Sequence, residues 1–363
     1  MKNTFGTSVS VTLFGESHGL EIGAVLDGMA PGIPVSCEHI ALRLSQRRPH
    51  GDISTARQEG DAFRIVSGVK DGKTTGAPLA ILISNTDARS GDYDEMQALA
   101  RPGHADYAAS QKYHGYEIRE GGGHFSGRLT APLVALGAIA QDALEKKGIR
   151  IGTHISCLGC VGDRPFENLD ADIDTLSDKI FPVLDDAAGE KMKARILEAK
   201  AKGDSLGGVL ECVVTGMPAG VGEPWFDSVE GVLSHALFSI PAIKGVEFGD
   251  GFALTDLKGS EANDPLRQVD GRVVTTTNHN GGVNGGITNG MPLVIRLAVK
   301  PTPTISLAQE TVSLTTGENA TLAAKGRHDP CIVHRVRAVV DAMVALTLCD
   351  LLALRFGTDY LAE

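Results

Sequence analysis

The sequence predicts an α+β fold, a single domain over 1–363 in which sheet and helix layers stack on one core. Three observations carry this. Strand and helix patterns interleave without the regular βα alternation of a doubly wound sheet. The stretch Pro330 to Leu354 is apolar almost all round (Val333, Val336, Val340, Met343, Val344, Leu348, Leu351), and a helix of that kind is buried between layers. Nothing in 363 residues reads as an internal repeat or a linker, and 42% hydrophobic against 22% charged residues is ample for a core.

The elements follow in order. Val9, Val11 and Leu13 alternate with polar residues, the period of a half-buried strand, which ends at Gly15. A second strand spans Gly23 to Gly28, after the loop Glu16-Ser-His-Gly19. Ser36 caps a helix that reaches Arg48, and Pro49 stops it. A polar loop over 50–60 leads to strands near 63–69 and 78–84, the second continuous enough to be buried. Residues 87–127 carry little periodicity of either kind, and a loop-rich stretch of that length inside a compact domain is usually functional.

A helix then runs from Leu129 to Lys147, with Pro132 in its first turn and Leu129, Leu133, Leu136, Ala140 and Leu144 on one face. Strands near 149–158 and 207–217 flank an exposed helix at 187–202. Asp227 and Glu230 form a capping-box pattern for a helix ending before Pro241. Leu293, Ile295, Leu297 and Val299 alternate strictly, which turns Arg296, Ala298 and Lys300 to the opposite face.

Composition narrows the function. A net charge of −11 speaks against nonspecific nucleic-acid binding, which needs a basic face. Yet arginines group locally (Arg43, Arg47, Arg48 and Arg57; Arg119 and Arg128; Arg327, Arg335 and Arg337), which points to small anionic ligands. The start MKNTFGTSVSVTLFG has no apolar targeting core, and no run approaches the roughly 18 apolar residues of a membrane span, so a cytoplasmic, non-membrane protein is expected. Only Cys157 and Cys160 form a CxxC, without a second pair. There is no HExxH, and His104-Ala-Asp106 and His328-Asp329 are loose pairs. No metal is therefore expected.

Two glycine clusters carry the chemistry. Gly121-Gly-Gly-His-Phe-Ser-Gly-Arg128, opening a helix, gathers free backbone N–H groups, a hydroxyl and a guanidinium into an anion site. The plainer reading is a glycine turn capped by Ser126. Neither the Walker spacing nor a strand running into a dinucleotide fingerprint is present. Asn278 to Gly290, rich in Asn and Gly, leads into the strand that presents Lys300 beside Pro301-Thr302-Pro303-Thr304; a long hairpin turn would account for its glycines but not for the lysine. His18 and His104 lie in loop contexts suited to proton transfer. Asp329 before Pro330 also reads as ordinary helix initiation, Asp at the N-cap and Pro at N1.

These residues resemble the chorismate synthase family. Six stretches match in order over nearly the whole chain: Gly15-Glu-Ser-His-Gly-Leu-Glu-Ile-Gly-Ala-Val-Leu-Asp-Gly28, Arg101-Pro-Gly-His-Ala-Asp106, Gly121 to Thr130, Ile243 to Gly251, Gly281 to Gly286 with Lys300-Pro-Thr302, and Arg327-His-Asp-Pro-Cys331. The resemblance implies a β-α-β sandwich and a homotetramer. It implies the anti-1,4-elimination of phosphate from 5-enolpyruvylshikimate 3-phosphate to chorismate, without net redox change. Reduced FMN is nonetheless required, lending electron density and taking up the C6 hydrogen; NADPH as the source of reducing equivalents separates bifunctional from monofunctional relatives, and the sequence leaves both open. By motif position, His18 meets the reduced flavin, His104 assists the departing phosphate, and Asp329 acts at the N5 side. Arg48, Arg57, Arg128 and Arg335 are implied for the substrate's anionic groups. His124, Phe125, Ser126, Pro241, Ala242, Gly285, Lys300, Pro301, Thr302, Pro303, Thr304 and Arg327 are implied for FMN.

Two departures from the family pattern stand out. The loop from Pro49 to Arg57 lacks the Arg or Lys many relatives carry near Ile53, and Asp341 stands where Glu is usual. The competing readings are a diverged flavin-dependent enzyme and a phospholigand-binding paralogue on the same scaffold.

Overall fold

The computed structural model describes residues 2–55, 60–85, 98–118, 120–323 and 329–362. One antiparallel sheet joins β1 (Thr4–Phe5), β2 (Ser10–Gly15), β3 (Glu21–Asp27), β4 (Phe63–Ser67) and β5 (Leu79–Ser84) in the order β1-β2-β3-β5-β4. A second joins β6 (Arg150–Leu158), β7 (Val161–Gly162), β8 (Gly208–Thr215), β9 (Ile243–Phe248) and β10 (Leu293–Val299), also antiparallel, in the order β9-β10-β8-β6-β7. Register follows the apolar alternation. Ile22, Ala24 and Leu26 of β3 face Ile83, Ile81 and Leu79 of β5, and all six are buried.

Between the sheets lies a helical layer of α1 (Cys37–Arg47), α3 (Thr130–Lys146) and α7 (Val333–Phe356); α2 is the short helix Asp106–Tyr113. Helix α3 packs on β3 and β5 of the first sheet and on β6 of the second, while α7 packs on β6 and β8. The fold is therefore α+β in sheet–helix–sheet layers. The all-round apolarity of α7 has its cause here, since nearly every residue from Val333 to Ala353 is buried. At the crossing of α3 and α7, a β-carbon on Gly137 would sit 2.2 Å from Ala342 Cβ. Gly137→Ala should accordingly cost about 1–3 kcal/mol through overpacking, read as a lowered thermal midpoint. An unchanged midpoint would mean that the helices slide apart without cost.

Several local expectations are corrected. The capping residue of α6 (Val229–Phe238) is Ser228, whose Oγ accepts from Gly231 N, and not Asp227. The helix α5 (Asp186–Ala201) is amphipathic, not wholly exposed, because Ala188, Met192, Ile196 and Ala199 face the core. Helix α7 starts at Val333, so Asp329 is not its N-cap; the carboxylate is engaged elsewhere. The 87–127 stretch contains α2, whose only buried residues are Asp106 and Ala109, too few to write a helical period into the sequence.

Asp341 belongs to a buried cluster inside the helical layer. It accepts from Thr153 Oγ1 at 2.6 Å and lies 3.3 Å from both Arg43 Nη2 and Arg337 Nε. The Glu-to-Asp departure thus concerns core packing.

His334, in the first turn of α7, is buried, and its Nε2 lies 3.0 Å from Ser54 Oγ. Burial, helped by the charge of Arg335, pushes its pKa down to about 3 from 6.5. The folded state therefore holds it neutral while the unfolded chain protonates near 6.5. Its contribution is fully present above that pH and lost as pH falls toward 3. His334→Gln should flatten the acid limb of a pH–stability profile, whereas an unchanged slope would assign that limb to other groups.

Candidate active site

A cavity of about 940 Å³ opens between the layers, within the size range of ligand sites. Its walls come from the loop after β2, the 101–106 loop, the glycine turn leading into α3, the end of α6, the segment after β10, and the start of α7.

His18 stands on the loop after β2. Ser17 Oγ lies 3.2 Å from His18 Nδ1, and Ser17 N donates to Gly123 O at 3.1 Å. Gly121, Gly122 and Gly123 all have positive φ (61°, 106° and 53°), a path closed to most side chains. A β-carbon on Gly121 would fall 1.8 Å from His18 Cε1, so the glycine turn is laid directly against the imidazole ring. His124 Nδ1 lies 2.8 Å from Gly15 O; since a carbonyl only accepts, that nitrogen carries the proton. Ser126 then caps the following turn, its Oγ accepting from Arg128 N. The capped-turn reading of this segment is realised.

His104 comes from the 101–106 loop. Its Nε2 is 2.6 Å from Thr304 Oγ1, and Lys300 Nζ donates to Gly103 O at 2.6 Å. Arg101 grips Asp106 through two hydrogen bonds of 2.7 Å and so closes the loop into the first turn of α2. Burial opposes the charge on Asp106, but the hydrogen bonds and charge of Arg101 prevail and hold its pKa below the usual value.

Asp329 accepts from Thr55 N at 2.8 Å and pairs with Arg335 Nη1 at 2.5 Å, while Arg335 Nε donates to Arg47 O at 2.9 Å. The altered loop after Arg48 is thereby tied to the start of α7. Arg128 reaches Asn85 Oδ1 at 3.2 Å and pairs with Asp61.

The cavity brings together His18, His104, His124, Phe125, Ser126, Arg128, Pro241, Ala242, Lys300, Thr302, Pro303, Thr304, Asp329 and Arg335. It does not bring in three other candidates. Arg48 caps α1 and turns to Asp61 and Gly60 O, Pro301 is exposed and outside the lining, and Gly285 sits in the hairpin of Val283–Asn284 and Ile287–Thr288. Arg57 and Arg327 lie outside the described residues.

Arg47, Asn85 and Arg101 also line the cavity; sequence reasoning noted Arg47 among the clustered arginines and Arg101 within a motif but gave neither a site role, and it did not single out Asn85. A signal for Arg47 existed, because it follows Ile40, Arg43 and Leu44 on the buried face of α1. Among the described residues, Lys2, Arg47, Arg101, Arg128, Lys244, Lys300 and Arg335 outnumber Asp106, Glu117 and Asp329 on the walls, a cationic lining in an acidic chain. Among the described residues no three His, Cys, Asp or Glu side chains gather to hold a metal ion, and no helix is long and apolar enough to cross a membrane.

Known proteins share both sequence and fold. The family model described as chorismate synthase matches residues 9–353. The chorismate synthase of Thermococcus kodakarensis is 45% identical over 345 residues, covering 95% of this chain and 96% of its own. That of Thermococcus gammatolerans is 47% identical over 346 residues, with the same coverage. A solved structure titled "Crystal Structure of Chorismate Synthase" superposes with a TM-score of 0.76 at 30% identity, covering 97% of this chain and 94% of that one. The family model spans most of the chain, and these relatives exceed 40% identity over nearly all of it: the chain belongs to the chorismate synthase family.

Proposed function

We propose that the chain is a carbon–oxygen lyase that eliminates phosphate from 5-enolpyruvylshikimate 3-phosphate to give chorismate, with reduced FMN held in the same cavity. The observation that carries this reading is the convergence of two loop histidines and several cationic side chains, from distant parts of the chain, on one pocket in a protein of net charge −11. A substrate with two carboxylates and a phosphate demands such a lining.

The residues fit a flavin nucleotide. Leu133, Val336, Val339 and Met343 offer an apolar wall for a ring system, and His124 to Ser126 with Lys300 and Thr302 to Thr304 offer donors for a phosphate and polar ring edges. When bound, reduced flavin supplies electron density to the substrate ring as its C–O bond breaks. The protein's own part is positional and acid–base. His104, oriented by Thr304, donates a proton to the leaving phosphate oxygen. His18, backed by Ser17 and the glycine turn, holds a proton at the flavin side of the cavity. Arg128 and Arg335 clamp the substrate's anionic groups, and Asp329 fixes the Arg335 fork.

A homotetramer is proposed with this function. Trp225, Phe226 and Phe252 are 85%, 93% and 82% exposed, more aromatic surface than an isolated chain ordinarily leaves in water. A cytoplasmic location accords with the absence of a spanning helix among the described residues.

The test is anaerobic phosphate release from 5-enolpyruvylshikimate 3-phosphate with dithionite-reduced FMN, followed beside chorismate absorbance. Equimolar release of both products is expected. Tight flavin binding without phosphate release would make the chain a diverged relative. A parallel arm with NADPH replacing dithionite reads whether the chain reduces its own flavin.

A further inference from the structure

Asp61 does not line the cavity, yet its carboxylate, 0% exposed at the side chain, meets three arginines. Oδ2 lies 3.4 Å from Arg47 Nη1 and 3.3 Å from Arg48 Nε, and Oδ1 pairs with Arg128 Nη1. These guanidiniums come from the end of α1 and from the turn before α3, so one carboxylate ties two elements of the helical layer to the strand that starts at Phe63. Its backbone is left-handed, φ +48°, a region that a β-carbon disfavours and that a structure retains where its surroundings require it.

Neutral acceptors hold the arginines as well. Arg47 donates to Thr130 Oγ1 at 2.9 Å and to Gly127 O at 3.1 Å, and Arg128 donates through Nε to Asn85 Oδ1 at 3.2 Å. Asn85 in turn donates to Glu16 O at 3.0 Å and Gly19 O at 2.8 Å, on the loop that carries His18. Like charges crowded in a poorly solvated pocket repel strongly. The buried Asp61 carboxylate lowers that repulsion and helps set the direction of each fork. Two of the three guanidiniums it meets, those of Arg47 and Arg128, also line the cavity.

We propose that Asp61 is a positioning residue for the phosphorylated substrate: it preassembles Arg47 and Arg128 as an anion receptor at the cavity wall. The proposal rests on the lyase reading above. Binding then needs no gathering of like charges and little loss of guanidinium freedom, which is where preorganisation gives affinity.

The experiment uses the full chain with oxidised FMN, which binds substrate without turnover, and titrates 5-enolpyruvylshikimate 3-phosphate by calorimetry into the wild type, Asp61→Asn and Asp61→Glu. Asp61→Asn keeps the shape and removes the charge. Asp61→Glu keeps the charge and shifts the carboxylate by one methylene, so it covers the case in which the neutral variant does not fold. Each folded variant should bind substrate roughly tenfold to hundredfold more weakly, with the FMN Kd unchanged and KM rising more than kcat falls. A purely structural carboxylate would lower the thermal midpoint and leave substrate affinity alone. Substrate Kd within twofold of wild type in either folded variant would overturn the proposal. If the wild type itself neither binds nor converts the substrate, the lyase reading fails instead.

Discussion

Replacing His104 with alanine should lower kcat by about 10²- to 10⁴-fold, the span of a lost general acid, while the FMN Kd stays near wild type. The imidazole is exposed and its ring nitrogen is aimed by Thr304 Oγ1 at 2.6 Å, so its removal opens no core cavity. The loop that carries it keeps its own closure through Arg101 and Asp106. A loss of turnover therefore reports on chemistry, and an unchanged circular-dichroism melt would confirm that the fold is intact. Phosphate release under anaerobic, flavin-reduced conditions gives kcat, and flavin fluorescence titration gives affinity. Wild-type turnover would remove His104 from the mechanism. The same comparison applies to His18→Ala, where turnover should again fall more than flavin affinity.

Arg128→Ala should lower kcat/KM by roughly 30-fold to several thousandfold, the equivalent of about 2–5 kcal/mol for truncating one partner of a buried charge pair. Arg128 lines the cavity, pairs with the buried Asp61 carboxylate and donates to Asn85 Oδ1 and Ser84 O. Truncation removes a cation from the substrate and leaves Asp61 to Arg47 and Arg48 alone. Arg128→Lys should recover little of the loss, since an ammonium cannot supply the planar fork that serves several acceptors at once. Initial rates over a substrate range decide this: kcat/KM within threefold of wild type would mean that the substrate's anions lie against other cations.

Much of the site was legible because its signals are local. A glycine run followed by a capping serine announces positive φ and a helix start, and Gly121 to Arg128 adopts that backbone. Strict alternation in Leu293 to Val299 placed Lys300 at a strand end, where its ammonium meets Gly103 O. Family motifs carried His18, His104 and Asp329 onto one pocket, although 311 positions separate the first from the last.

Other details were not legible where the deciding partner was distant. Arg48 and Arg47 are equal as sequence, but Arg47 turns inward to Thr130, 83 residues away, and Arg48 caps the helix. Asp329 resembles an N-cap until Thr55, 274 residues away, takes its carboxylate. Helix α2 left no periodic trace because it barely touches the core.

By itself, then, the sequence determined the layer elements, their order, the glycine turns and the family, since backbone propensity and apolar period act over a few residues. The tertiary structure alone decided which guanidiniums face the cavity, that Asp341 is a core ion, that the Asp329 carboxylate turns to Thr55 and Arg335, and that Asp61 meets three arginines. The physical reason is that a side chain's direction and ionic partners are fixed by packing between elements far apart in the chain.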